Sequence, residues 1–250
     1  MGKGRLWVAV GVMLLWACAR PATSGAPTDR AHARNLRHFV ADWHRIPDGQ
    51  APSDWVDLHE DGADHAWLYD GGWRIQRVDG TPHLLVPKAN TTVTEPLSFR
   101  RYNGGAFGVY GQLPARYCVV LEGRSLGGAA RFNGYGELAC QVFYLTPTSY
   151  VEVLQTDEAF FIWQADNAPP MQGSGWTQVA RVPHPAKVGE WVRFGAEVDT
   201  QAGTIVALLD DQPVATASPS LMAQGREPKL TLRATGNKEE WRVVEIRELP

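Results

Sequence analysis

Over residues 192–198 apolar side chains fall at every second position. Val192, Phe194, Ala196 and Val198 form one face; Arg193, Glu197 and Asp199 share the other. That period belongs to an extended strand with one buried face, and it excludes a helix, whose apolar positions would recur every three or four residues. Thr204–Leu209 is apolar on both faces, Ile205, Ala207 and Leu209 against Val206 and Leu208, as suits a strand covered on both sides. Short segments of strand character continue along the chain at 36–43, 66–70, 73–78, 83–87, 96–100, 117–122, 137–145, 150–155, 159–164, 177–182, 191–198, 229–234 and 241–249. Turn formers separate them: Asp70-Gly71-Gly72, Asp79-Gly80, Asn103-Gly104-Gly105, Asn133-Gly134 and Thr235-Gly236-Asn237. Many short strands at such spacing predict an all-β sandwich of two antiparallel sheets, with a helical turn expected only near 220–223. The 10 Trp, 25 Gly and 17 Pro suit aromatic faces and frequent turns.

Residues 1–17 are of another kind. Lys3 and Arg5 precede an apolar run at 6–16, too short for a spanning helix, which predicts a secretory signal. Leu15-Trp16-Ala17-Cys18 resembles the lipobox of bacterial lipoproteins. That resemblance implies cleavage before Cys18, lipid on its sulfur, and a cell-envelope address. Ala19 after the cysteine then points to the outer membrane. Residues 18–34 are small, polar and Pro-containing, as a flexible tether would be, leaving 35–250 for the sandwich. The net charge of −3 carries no basic stripe, so no nucleic-acid partner is expected.

Val188-Gly189-Glu190-Trp191-Val192-Arg193-Phe194, followed by 203–214, resembles the C-terminal signature of concanavalin A-like jelly rolls, including LamG-like and 3-keto-disaccharide-hydrolase-type domains. The closing run 241–246 and the middle run 141–153 fit the same pattern, and Asp211 stands where that family usually has Gly. The resemblance implies a jelly-roll β-sandwich. It does not settle activity, because one fold hosts lectins, glycosidases and adhesive modules.

Glycosidases of this kind need paired carboxylates at a set separation, and alternation along a strand would supply them. No such run is present, so no catalytic residue is assigned. Thr156-Asp157-Glu158-Ala159 reads as a hairpin turn, and Glu152 as an outward residue beside Tyr150 and Leu154. The aromatics are the better signal. Tyr144, Tyr150, Trp163 and Trp176, with Glu152, form the expected ligand-binding set, because flat rings on a sheet can stack on sugar faces. The loop 164–175 beside Trp176 is long enough to carry function. The cluster His59-Glu60-Asp61-Gly62-Ala63-Asp64-His65 fits no specific metal motif. A polar turn explains it, Ca²⁺ being the weaker alternative, and no cofactor is expected. Cys140 alternates with Leu138, Val142 and Tyr144, which places it inward. An oxidising compartment allows it a disulfide with Cys118, and two buried free thiols fit equally.

The expected function is therefore a non-catalytic module that binds a glycan or another polymer and is held to a membrane by lipid. A glycan-active hydrolase of the 3-keto-disaccharide-hydrolase type is the first alternative. A structural or adhesive surface protein with a protein partner is the second.

Overall fold

The computed structural model describes residues 35–57, 72–87, 103–128, 134–146, 148–168, 174–226, 229–235 and 237–250. The segments 1–34, 66–70 and 96–100 and the cluster 59–65 lie outside them, as does the middle of the loop 164–175. In chain order the strands are β1 (His38–Val40), β2 (Trp55–Asp57), β3 (Arg74–Val78), β4 (Thr81–Val86), β5 (Asn103–Tyr110), β6 (Arg116–Gly128), β7 (Glu137–Thr146) and β8 (Ser149–Gln155). There follow β9 (Ala159–Ala165), β10 (Trp176–Pro183), β11 (Val192–Asp199), β12 (Thr204–Leu209), β13 (Gln212–Ala217), β14 (Lys229–Thr235) and β15 (Asn237–Glu248). The only helical element among the described residues is the 3₁₀ turn Ser220–Ala223.

The strands form two antiparallel sheets. Sheet one runs β13-β12-β11-β6-β15-β4-β3, with β1 added beside β15; sheet two runs β10-β9-β8-β7-β14-β5-β2. The expected all-β sandwich is what the chain forms. Three strands had no sequence counterpart. β5 begins at the Asn103-Gly104-Gly105 run expected as a turn, β2 has only three residues, and β13 carries Pro213.

Between the sheets lies one core. From sheet one come Val119 and Leu121 of β6, Phe194, Ala196 and Val198 of β11, and Trp241, Val244 and Ile246 of β15. From sheet two come Cys140 and Val142 of β7, Val151 and Val153 of β8, Phe160 and Ile162 of β9, and Leu230 and Leu232 of β14. Phe194 links the layers, its ring 6.0 Å from Trp241 and 5.5 Å from Phe160. Trp241 lies on Gly123, its register partner, where a Cβ would come within 2.6 Å of the indole. Near the β2 margin Phe107 is stacked between Trp55 and Trp73, 5.3 Å from each.

Local chemistry fixes the corners. Asp210 and Asp211 both have positive φ, 49° and 62°, as the two-residue hairpin between β12 and β13 demands. Arg193 Nε donates to Asp211 at 2.8 Å, so the second residue of this turn is held by a side chain of β11. Thr156–Ala159 is a turn, with Thr156 N donating to Ala159 O at 3.0 Å. The 3₁₀ turn is fastened to β9, Leu221 N donating to Gln164 Oε1 at 3.0 Å.

The cysteines lie on different surfaces. Cys140 is in the core between the sheets, whereas Cys118 belongs to a small cluster with Val120 and Leu208 on the other side of sheet one. Both are free thiols, so no disulfide joins them in this structure. Burial pushes the Cys118 thiol up to about 11 and Cys140 well above the ordinary thiol range, which keeps both protonated and unreactive at neutral pH. Dithiothreitol is expected to leave the melting temperature of the folded domain unchanged. Ellman's reagent should titrate both thiols only after unfolding.

Candidate functional site

The face of sheet two that points away from the core is built in cross-strand rows. In the first, Tyr110 of β5 pairs with Lys229 of β14, Tyr144 of β7 with Tyr150 of β8, Tyr150 with Ala165 of β9, and Ala165 with Trp176 of β10. Lys229 Nζ closes the gap in the row. It donates to the Tyr110 hydroxyl at 2.9 Å and stands 3.9 Å from the centre of the Tyr144 ring, a cation–π distance. Tyr144 and Tyr150 lie parallel at 6.3 Å, and Tyr150 meets Trp176 edge-on at 5.8 Å. The small Ala165 side chain leaves room for that contact.

The second row is polar. Gly108, Thr231, Gln141, Glu152, Trp163 and Gln178 are successive register partners from β5 to β10. In the third, Arg233 pairs with Ala139, Ala139 with Leu154, Leu154 with Phe161 and Phe161 with Arg181. Ala139 is too small to block Arg233, which crosses it to grip Glu152 with both arms, Nε to Oε2 at 3.0 Å and Nη2 to Oε1 at 2.6 Å. Such a two-pronged pair fixes direction as well as charge. Glu137 lies 3.4 Å from the same guanidinium. Burial pushes the Glu152 carboxyl up, and the Arg233 charge and hydrogen bonds draw it part of the way back. Burial likewise raises the Tyr150 hydroxyl, so it remains a neutral phenol.

The sequence-expected set Tyr144, Tyr150, Glu152, Trp163 and Trp176 thus shares one face. Two details differ from expectation. Tyr144 does not follow Cys140 and Val142 inward. A β-bulge between Gln141 and Phe143 puts Val142 and Phe143 both into the core and turns Tyr144 outward. Glu152 is outward as expected, but it is 0 % exposed and ion-paired. Tyr144 and Tyr150 are buried as well, while Phe161, Trp163 and Trp176 on the β9–β10 flank are half-buried and Gln178 and Arg181 exposed. Sequence reasoning missed Lys229, Thr231 and Arg233. Their signal was the alternation of three polar residues with Leu230 and Leu232, which marks a polar face without saying that it is buried. Among the described residues no group of three or more His, Cys, Asp or Glu is placed to hold a metal ion.

Trp176 depends on the glycine before it. Gly175 has φ of 78°, and a Cβ there would come within 2.6 Å of Asp166 O and 2.7 Å of Ala168 Cα. Asp166 N donates to Gly175 O at 2.8 Å, so both ends of the 164–175 loop are drawn together at this point. Gly175→Ala is expected to destabilise the domain by ~1–3 kcal/mol, through strain and backbone clash, and to shift the Trp176 environment. A urea melt and the near-ultraviolet circular dichroism of the variant check both.

No family model matches the chain, and no curated protein matches it in sequence. Solved structures do. A protein titled a native glycosidic hydrolase superposes with a TM-score of 0.53 at 10% identity, over 86% of this chain and 98% of its own. The fold is the jelly-roll sandwich. A sialidase chain matches with a TM-score of 0.50 at 11% identity, over 85% of this chain but 18% of the sialidase. The carbohydrate-binding module CBM66 from Bacillus subtilis matches with a TM-score of 0.47 at 13% identity, over 78% of this chain and 96% of the module.

Proposed function

We propose that the chain is a glycan-binding β-sandwich, displayed at the cell envelope by a lipid on Cys18, and that the β9–β10 flank of the outer face of sheet two is its binding surface. One observation carries the reading: aromatic and hydrogen-bonding side chains occupy a sheet face in consecutive cross-strand rows, with Phe161, Trp163 and Trp176 reaching solvent at its flank. The half-buried rings supply stacking surface for sugar C–H groups, and the exposed Gln178 amide beside Trp163 supplies a partner for sugar hydroxyls. The glycosidic hydrolase and sialidase with which the fold is shared are proteins named for action on sugars, which supports the same reading. Glu152 is buried and both its oxygens are engaged by Arg233, which favours a role in bracing the face over an acid–base one.

The anchor rests on Leu15-Trp16-Ala17-Cys18 and the polar stretch after it. Outer-membrane sorting is proposed from Ala19. A glycan array probed with residues 19–250 tests the binding, with retention of a sugar class expected and a blank array overturning it. Labelling cells with a radioactive fatty acid tests the anchor. Label on the wild type and none on Cys18→Ser is expected, and an unlabelled wild type removes the anchor without touching the sandwich.

A further inference from the structure

We propose that the accessible flank of this face, formed by Trp163 of β9 and Trp176 of β10, is a corner for a single sugar unit of a soluble, uncharged chain. It is not a flat platform for a crystalline polymer. The inference rests on the glycan reading above and narrows it.

Geometry sets the size of the ligand. The two indoles are 6.5 Å apart with planes 76° from parallel. A ribbon-like crystalline polysaccharide presents many sugar faces in one plane, and only coplanar rings can meet several of them at once. Here a chain lying on one indole meets the other edge-on. In an edge-to-face contact the edge of one ring also covers part of the face of the other, so little more than one ring face is open. Trp176 is further engaged by the edge-on contact with Tyr150, and Trp163 by Phe161 at 6.1 Å and 40°. The wall is braced from both sides, which lowers the ordering cost of binding.

Charge sets the chemistry. The register partner of Trp163 on the edge strand is Gln178, an exposed neutral amide suited to hydroxyl groups. The register brings two charged side chains beside the rings: Glu152, partner of Trp163, which is buried and held by Arg233, and Arg181, partner of Phe161. The Arg181 guanidinium lies 3.8 Å from the Glu158 carboxylate. The neighbouring carboxylate of Asp166 accepts from Asn167 Nδ2 at 3.1 Å. The flank therefore offers a balanced rim rather than a cationic one, and a uronate or sulfate would find no dedicated partner.

The test is affinity electrophoresis of residues 19–250 through gels holding soluble neutral polysaccharides (β-glucan, xylan, glucomannan, fructan) or acidic ones (alginate, polygalacturonate). It is paired with pull-downs on crystalline cellulose and chitin. Retardation by a neutral soluble chain, with no capture on the crystalline solids, is expected. Trp163→Ala should weaken it by about tenfold, since ~1.4 kcal/mol corresponds to one decade. Trp163→Phe should keep most of the affinity, and Gln178→Ala should lose part of it with an unchanged melting temperature. Capture on the crystalline solids that disappears in Trp163→Ala overturns the corner and leaves the glycan reading standing. Retardation by acidic chains alone overturns the neutral chemistry. Retardation by a neutral chain that Trp163→Ala does not weaken overturns the placement. Binding to none of these polymers, with a blank glycan array, removes the glycan reading itself.

Discussion

Arg233→Met is expected to cost ~3–5 kcal/mol of folding stability, the range for removing one partner of a buried ion pair. Arg233 and Glu152 are 3% and 0% exposed, and β14 carries the one while β8 carries the other, with β7 between them. Without the guanidinium the Glu152 carboxylate keeps its burial and loses its two short donors. The variant should then show a pH dependence whose sign is fixed. The carboxyl is already raised above its ordinary value of 4.5 by burial, against the pull of Arg233. With that pull gone it rises further. The folded variant then holds a proton that the unfolded chain releases, so stability is greatest below about pH 4.5 and falls as pH climbs towards the raised value. Glu152→Leu with Arg233→Met should recover most of the loss, because two apolar side chains of similar size need no partner. Urea unfolding of the wild type and the two variants between pH 4 and 8 decides it. A single Arg233→Met variant within ~1 kcal/mol of wild type across that range would show that the pair holds nothing together.

Trp241→Ala should be as damaging, at ~3–5 kcal/mol, the usual cost of emptying a core aromatic site. The indole is fully buried against Gly123 and Phe194, and its Nε1 donates to Glu239 Oε2 at 2.9 Å. Trp241→Phe keeps much of the ring and removes the donor, so it isolates the hydrogen bond, worth ~1–3 kcal/mol to a buried acceptor. Glu239 is itself wholly buried, and burial pushes its carboxyl well above 4.5 against the opposing pull of Trp241, Arg233 and Asn237. A folded-state value above the unfolded one means that this group's contribution is complete at acid pH and is lost as pH rises. Glu239→Gln should therefore flatten the alkaline decline and melt above the wild type at pH 8. If wild type and Glu239→Gln lose stability in parallel from pH 5 to 9, Glu239 is not the group responsible.

How much of this was written in the sequence depends on how local the cause is. The Val192–Asp199 strand was legible because its two-residue rhythm is unbroken and one face stays buried along its whole length. The hairpin turn at Asp157-Glu158 was legible for the same reason, since turn chemistry acts within four residues. β5 was not. Its Asn-Gly-Gly start carries the composition of a turn, and only pairing with β14 makes it a strand. The bulge at Val142 reversed the side of Tyr144, and nothing in a strict alternation announces an extra residue. For the site, the five residues singled out do share a face. That Glu152 is a buried, ion-paired residue rather than a free outward one depends on Arg233, 81 residues away in sequence, and no local pattern could have joined them.

The position of β15 has a consequence for the order of assembly. This strand, residues 237–248, is wedged between β6 on one side and both β4 and β1 on the other. Until it has left the ribosome or a translocation channel, those three partners present open backbone edges, and sheet one exists only as separate fragments. Completion of sheet one must then wait for residues 237–248, and the waiting chain has adhesive edges that a chaperone would need to shield.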